Sequence, residues 1–312
     1  MSVRATVFAP ATVANVAVGF DLLGFALSGV GDTVTVSRRE PGEGDPITLS
    51  VAASEIVVPS DPGRNTATVA LEALRRDLDL SDRFHIDLRK GIPLGSGMGG
   101  SAASAVGAVV AANALLASSL PRERLLNYAI EGERAASGAA HPDNAAPCLY
   151  GGLTLTLTKP RLEVLSVPIP GSVHCILVHP HMTLETRRAR EILSPTLALA
   201  THVEQTGHLA GFLAACFRGN TALIGRHLRD VVIEPQRASL IPGFEKVRDA
   251  ALAAGALGCS LAGSGPSLFA WAEGPQIITD VQGAMQQAFE SEGLAVDTWI
   301  SPVDAPGATL VT

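Results

Sequence analysis

The sequence predicts an α+β protein of two domains. Three observations carry that expectation. The chain has 312 residues, about twice the ~150 of a typical domain. Strand and helix patterns interleave through its first half. A proline-punctuated stretch at 167–172 then gives way to strand, helices, strand, helix and strand. The boundary is therefore placed near residue 170, dividing the chain into 1–170 and 171–312.

Within 3–8, Ala5 and Val7 oppose Arg4 and Thr6, the alternation of a half-buried strand, and residues 33–37 and 47–51 alternate likewise. Phe84, Ile86 and Leu88 share one face of 84–90, the cleanest strand pattern in the chain. Over 65–78, Val69, Ala73 and Leu74 form an apolar stripe with charges opposite, which predicts a helix. A helix of small residues is expected over 101–116 and another over 122–137, with a strand at 153–158. Beyond the boundary, strands are expected at 173–178, 267–271 and 295–300 with helices between them, an order that suits antiparallel pairing.

Composition narrows the function. Twenty-three basic residues against 30 acidic ones give a net charge of −7, with no Lys/Arg run, so nucleic acid is excluded as the main partner. Any anion must be bound by local groups set against the overall field. Cys148, Cys175, Cys216 and Cys259 lack CxxC or metal-ligand spacing and read as small core residues in a reducing compartment. His179 and His181 read as a loop beside a strand end rather than as metal ligands. Near the N-terminus only Arg4 is basic, and Pro10, Asn15 and Asp21 interrupt any signal-peptide core. Residues 91–121 carry no charge, but they are rich in Gly, Ala, Ser and Asn and begin in a glycine loop, so no membrane span is expected. The expectation is a soluble, cytoplasmic protein.

The segment Pro93-Leu94-Gly95-Ser96-Gly97-Met98-Gly99-Gly100-Ser101-Ala102-Ala103 follows a strand and opens a helix. Backbone N–H groups there can converge on an anion at the helix N-terminus, and glycine removes the side chains that would block its approach. Ser101 in the first helical turn could reach a metal ion. Gly95, Gly97 and Gly100 satisfy G-x-G-x-x-G, but no acidic residue ends a second strand about 20 positions on, which excludes a dinucleotide fold. The lysine of a Walker A loop is absent, and a protein-kinase loop would join two strands. A flexible turn is the plain alternative.

Other candidates are open on the residues alone. Leu126, Ala129, Glu133 and Ala136 fall on one helical face, so Glu133 reads equally as a solvated acid, a partner of Arg134 or a metal ligand. Asn65 stands at a helix start, where an N-cap is the default. Asp21 suits an Asx turn. Arg190 shares a short helix with Arg187 and Arg188, the pattern of a solvated face, whereas Arg237 follows a proline-containing turn. His141 and Asn144 lie in an expected loop before residues 145–152.

Pro-x-Gly-Ser-Gly-Met-Gly-x-Ser-Ala-Ala resembles the ATP loop of the GHMP small-molecule kinases, with Gly100 where many members have serine. Residues 10–24, with Asn15, Gly19, Phe20 and Asp21, resemble the first motif of this superfamily in its homoserine kinase version, and residues 258–267 resemble the third. The resemblance extends over almost the whole chain. It implies the two-domain GHMP kinase fold, with a ribosomal-protein-S5-domain-2-like N-terminal half and a ferredoxin-like C-terminal half. It implies ATP as co-substrate, bound by residues 93–103 and touched at adenine by Asn65. It places Mg2+ on Ser101 and Glu133, because Gly-Glu-Arg-Ala-Ala-Ser-Gly followed by His-Pro-Asp-Asn marks the magnesium glutamate. It implies L-homoserine as the acceptor, with Asn15 and Asp21 at its ammonium, Arg190 and Arg237 at its carboxylate, and His141 and Asn144 in the pocket wall. The product would be O-phospho-L-homoserine, a step of threonine biosynthesis, and a homodimer is the common state of such enzymes.

Asn144 stands eleven residues after Glu133, where mevalonate kinases and galactokinases have an aspartate assigned as base. An amide cannot usefully accept a proton, so in-line transfer without a protein base is expected. Asn144 and the two arginines weigh against a mevalonate-type or sugar acceptor. Ser101 and Glu133 weigh against a nucleotide-binding regulator that has lost catalysis.

Overall fold

The computed structural model describes residues 3–40, 42, 44–52, 65–137 and 142–311. The first half contains β1 (Arg4–Ala14), β2 (Leu23–Arg39), β3 (Ile47–Val51), α1 (Thr66–Asp77), β4 (Arg83–Arg89), α2 (Gly100–Asn113), α3 (Arg122–Ser137), α4 (Pro142–Tyr150), β5 (Leu153–Leu157) and β6 (Glu163–Val167). The second contains β7 (Val173–Pro180), α5 (Thr186–Glu191), α6 (Leu199–Arg218), α7 (Thr221–His227), α8 (Glu234–Arg237), α9 (Phe244–Ala253), β8 (Gly258–Leu261), β9 (Leu268–Glu273), α10 (Pro275–Glu290), β10 (Val296–Pro302) and β11 (Thr309–Leu310).

Among the described residues β11, β1, β2, β4 and β3 lie side by side, and β5 joins β2 to β6. The neighbours are antiparallel except for β3 and β4. The second sheet has the order β10-β7-β9-β8, antiparallel throughout, which is the fourth-first-third-second order of a ferredoxin-like unit. Its first strand starts six residues after the end of β6, while β11 returns to the larger sheet to pair Leu310 with Val7. The chain is thus the expected α+β fold of two sheets. They share a core: Phe25 of β2 meets Trp271 and Phe269 of β9 edge-on, with ring centroids 5.5 and 6.0 Å apart.

Several elements differ from the sequence expectations, and each for a physical reason. β1 runs on to Ala14, because residues 9–14 are buried on both faces and a two-sided strand shows no alternation. Pro10 is tolerated there at a register shift in the pairing with β2. β2 spans 17 residues although only 33–37 alternate, since Gly24, Gly29 and Gly31 interrupt its pattern. The expected loop around Asn144 is wrong: Asn144 lies in the first turn of α4, a helix hidden by its internal Pro147. The four cysteines are buried and unpaired. His179 lies inside β7 rather than in a loop, and His181 just beyond its end. No helix among the described residues is long and apolar enough to cross a membrane.

α2 explains the uncharged stretch. Its alanines and valines are buried almost all round, packed against α1, α3, β1 and β2, so hydrophobicity on every side marks a central core helix. Its N-terminus is aimed at the seam between the two sheets, where the functional residues gather.

Candidate active site

The loop between β4 and α2 is fixed by its surroundings. Gly97 has φ +79°, and a Cβ there would sit 2.4 Å from Ala262 O and 2.6 Å from Gly265 O. Glycine is required both for that conformation and for the close approach. The loop carbonyls are taken by neighbours: Gly95 O accepts from Leu184 N at 3.0 Å, Met98 O from Thr12 N at 3.1 Å, and Ser96 O from Ser267 Oγ at 2.7 Å. The first-turn amides of α2, at Gly100, Ser101 and Ala102, have no intrahelical acceptor, which makes this end an anion site.

Beneath the loop lies a buried ion pair with no signature in a single sequence. Lys90 Nζ donates to Asp32, to Gly100 O at 2.7 Å and to Ser104 Oγ at 3.1 Å. Asp32 also accepts from the amides of Gly91 and Ile92 at 3.0 and 3.2 Å. Every donor and acceptor in this cluster anchors the root of the loop or the first turn of α2.

Ser101 Oγ donates to Glu133 Oε2 at 3.0 Å. Glu133 reaches it because Gly132 lets α3 close on its neighbours; a Cβ at Gly132 would lie 2.5 Å from Thr66 O. The open question of Glu133 is answered in favour of an inward-facing, buried carboxylate beside the loop.

The other side of the cleft is the turn between β1 and β2. Asn15, Val16 and Ala17 have φ of 71°, 48° and 56°, a left-handed run that is strained for Val. The side chain of Asn15 holds it in place: Oδ1 accepts from Asp21 N at 3.0 Å, and Nδ2 donates to Gly263 O at 2.9 Å. The loop is thus closed by Asn15, whose Oδ1 reaches an amide six residues on, and the Asp21 carboxylate receives both Nη atoms of Arg190, at 2.7 and 3.2 Å. Arg187 and Arg188 of the same helix are exposed, as a solvated face predicts. Phe20 underlies two guanidinium groups, with the Arg190 and Arg237 Cζ atoms 5.4 and 5.3 Å from its ring centroid.

Arg237 is 2% exposed. Its Nε donates to Ala189 O at 2.9 Å and its Nη1 to Gly263 O at 3.1 Å. Asp230 gathers the amides of Val232, Ile233 and Glu234, fixing the short helix that carries it. Burial, reinforced by the nearby Arg190 charge, pushes the Arg237 guanidinium down to about 10. It remains a cation at neutral pH.

One cavity of about 220 Å3 is lined by Asn15, residues 93–101, Glu133, Asn144, Arg190 and Arg237. Asp21 joins it through Arg190. Asn65 is the buried N-cap of α1, accepting from Ala67 N at 3.0 Å; it does not line the cavity, but Thr66 beside it donates to Ser101 O at 2.9 Å. Ala102 and Ala103 lie in the core, and Ala103 N is spent on Gly99 O at 2.9 Å, so neither side chain lines the cavity. His141 lies outside the described residues. Asp143, a buried carboxylate, and Thr12, whose hydroxyl donates to Asn144 Oδ1 at 2.8 Å, complete the surroundings. Neither was singled out in the sequence. Asp143 sits one residue from Asn144 in the His-Pro-Asp-Asn string, and Thr12 falls within the first motif, which are the signals that could have found them.

Residues 65–152 match the family described as GHMP kinases N terminal domain, and residues 212–291 match GHMP kinases C terminal. Fold and cradle together define an ATP-dependent small-molecule kinase. The homoserine kinase of Xylella fastidiosa (strain 9a5c) is 47% identical over 311 residues, covering 99% of this chain and 94% of the relative. That of Chlorobium phaeobacteroides (strain BS1) is 43% identical, covering 98% and 99%. The crystal structure of homoserine kinase from Cytophaga hutchinsonii ATCC 33406 superposes with a TM-score of 0.95 at 39% identity, covering 100% of this chain and 98% of the other. The chain belongs to the homoserine kinases, within the GHMP kinase superfamily.

Proposed function

We propose that the protein transfers the γ-phosphoryl group of ATP to the hydroxyl of L-homoserine. The observation that carries this reading is one cavity lined by both the glycine loop and the Arg190–Arg237 pair. The loop amides and the α2 N-terminus suit the phosphates of ATP. Asn65, at the head of α1 beside the loop, is assigned to the adenine side. Arg190 and Arg237 suit the acceptor carboxylate, and Asn15 with Asp21 its ammonium. The acceptor oxygen forms the new bond to phosphorus as the bridging bond to ADP breaks, and its proton leaves to a phosphate oxygen or water.

Ser101 and Glu133 offer a hydroxyl and a carboxylate 3.0 Å apart, hard oxygen donors that suit Mg2+. No group of three or more His, Cys, Asp or Glu could hold a metal among the described residues, and Mg2+ in such sites relies on few protein ligands plus phosphate. The bound ion would neutralise phosphate charge. The same reading makes this a cytoplasmic, homodimeric enzyme of threonine biosynthesis, divided near residue 170 between β6 and β7.

ADP release with Mg-ATP is the direct test, run against homoserine, mevalonate, shikimate and galactose. Turnover with homoserine alone is expected, and it should vanish when Mg2+ is chelated. Silence with all four would favour a nucleotide-binding regulator. A pH–rate limb that follows a carboxylate and disappears in Asp143→Asn would sink the base-free route.

A further inference from the structure

Thr12 binds the nucleotide loop and the acceptor side of the cleft to the same residue. Its amide donates to Met98 O at 3.1 Å, and its hydroxyl donates to Asn144 Oδ1 at 2.8 Å. Thr12 is fully buried near the end of β1, just past the register shift at Pro10. The pair passes directly beneath Gly99, where a Cβ would lie 2.1 Å from Thr12 Oγ1 and 2.8 Å from Asn144 Oδ1.

An asparagine amide has an acceptor oxygen on one side and two N–H donors on the other. With Thr12 on the oxygen, the carbonyl of Asn144 faces β1, and its N–H groups remain for the cavity that the residue lines. A flipped amide would offer the cavity a negative oxygen instead, the wrong sign beside phosphoryl oxygens. We propose that Thr12 is a positioning residue for phosphoryl transfer: its hydroxyl fixes Asn144 so that the amide meets the transferring group as a hydrogen-bond donor. A donor held in place before the reaction stabilises charge without reorganisation. This assignment rests on the kinase reading above and adds to it a residue that touches neither substrate.

Thr12→Val keeps the side-chain volume and removes the donor, whereas Thr12→Ser keeps the hydroxyl. For Thr12→Val, kcat is expected to fall on the order of tenfold or more, the loss of one aimed hydrogen bond, with KM for ATP and homoserine changed by less than about twofold. Thr12→Ser should restore kcat to within about threefold of the parent. In an Asn144→Ala background, Thr12→Val should cost nothing further. A merely structural Thr12 would lower the melting temperature without that kcat split or that non-additivity. An unchanged kcat in Thr12→Val, or losses that multiply with Asn144→Ala, would overturn the proposal.

The side-chain amide resonances of Asn144, identified by their loss in Asn144→Ala, give a readout independent of turnover. They should move in Thr12→Val and return in Thr12→Ser. Resonances that stay put in Thr12→Val also overturn the positioning role. A parent enzyme inactive on homoserine would defeat the kinase reading, and the resonances would still decide the role of Thr12.

Discussion

Arg237 performs two tasks with one guanidinium. Nε and Nη1 hold the carbonyls of Ala189 and Gly263, which ties α5 and the third glycine motif to α8. The face of Phe20 fixes its plane, and the rest of the group lines the cavity. Arg237→Ala is therefore expected to raise the homoserine KM by about 10- to 100-fold, the range for losing a charge-assisted bond, with the ATP KM little changed. The same variant takes a buried donor from Ala189 O and leaves Gly263 O with its Asn15 partner, so equilibrium denaturation should show a loss of about 1–3 kcal/mol. Steady-state kinetics with each substrate varied decides the first point, and an unmoved homoserine KM would remove Arg237 from the acceptor pocket. The residue type was legible through the motif it follows. Its near-complete burial was not, since a charged side chain in a turn is ordinarily solvated.

The glycine loop shows what holds a functional element still. Its composition announces an anion site, but composition alone describes a floppy segment. Rigidity comes from Lys90 and Asp32, distant in sequence and joined beneath the loop with Ser104 and the carbonyl of Gly100. Lys90→Met is expected to destabilise the protein by about 3–5 kcal/mol, because it leaves the Asp32 carboxylate buried without its cation. The double variant Lys90→Met/Asp32→Leu should recover only part of that loss, since neither charge is then stranded but the amides of Gly91 and Ile92 lose their acceptor. Denaturant midpoints for the three proteins test this, and a single variant as stable as the parent would refute it. β4 was legible because it alternates, whereas Lys90, just past its end, carried no sign of its partner. Ion-pair partners across a sheet depend on register, which one strand cannot reveal.

Across the whole molecule, a buried polar chain links the second sheet to the nucleotide loop. Ser267 Oγ donates to Ser96 O at 2.7 Å, so the 3.0 Å bond between His179 Nδ1 and Ser267 Oγ has His179 as its donor. Burial lowers the His179 imidazole to about 4. The folded protein thus keeps His179 neutral while the unfolded chain takes up a proton below about 6.5. More protons are bound by the unfolded state between those values, so this group removes stability as pH falls through that window. His179→Asn retains a donor near the Nδ1 position but cannot titrate there. The melting temperature of the variant should fall less steeply from pH 6.5 to 4 than that of the parent. Parallel slopes would show that His179 does not contribute.

The sequence by itself determined the α+β class and the glycine loop between strand and helix, because each is written in local spacing: alternation, glycine placement, a proline-marked link; the superfamily came from the resemblance of three motifs. That resemblance also singled out Ser101, Glu133, Asn15, Asp21, Arg190 and Arg237. Only the tertiary structure decided how these meet. Asp21 and Arg190 pair across 169 positions, Asn15 and Gly263 across 248, and the helical seat of Asn144 was masked by a proline that its surroundings tolerate. Such contacts arise where two sheets pack on a common core, and no local pattern encodes the distance between residues that the chain brings together only when that core closes.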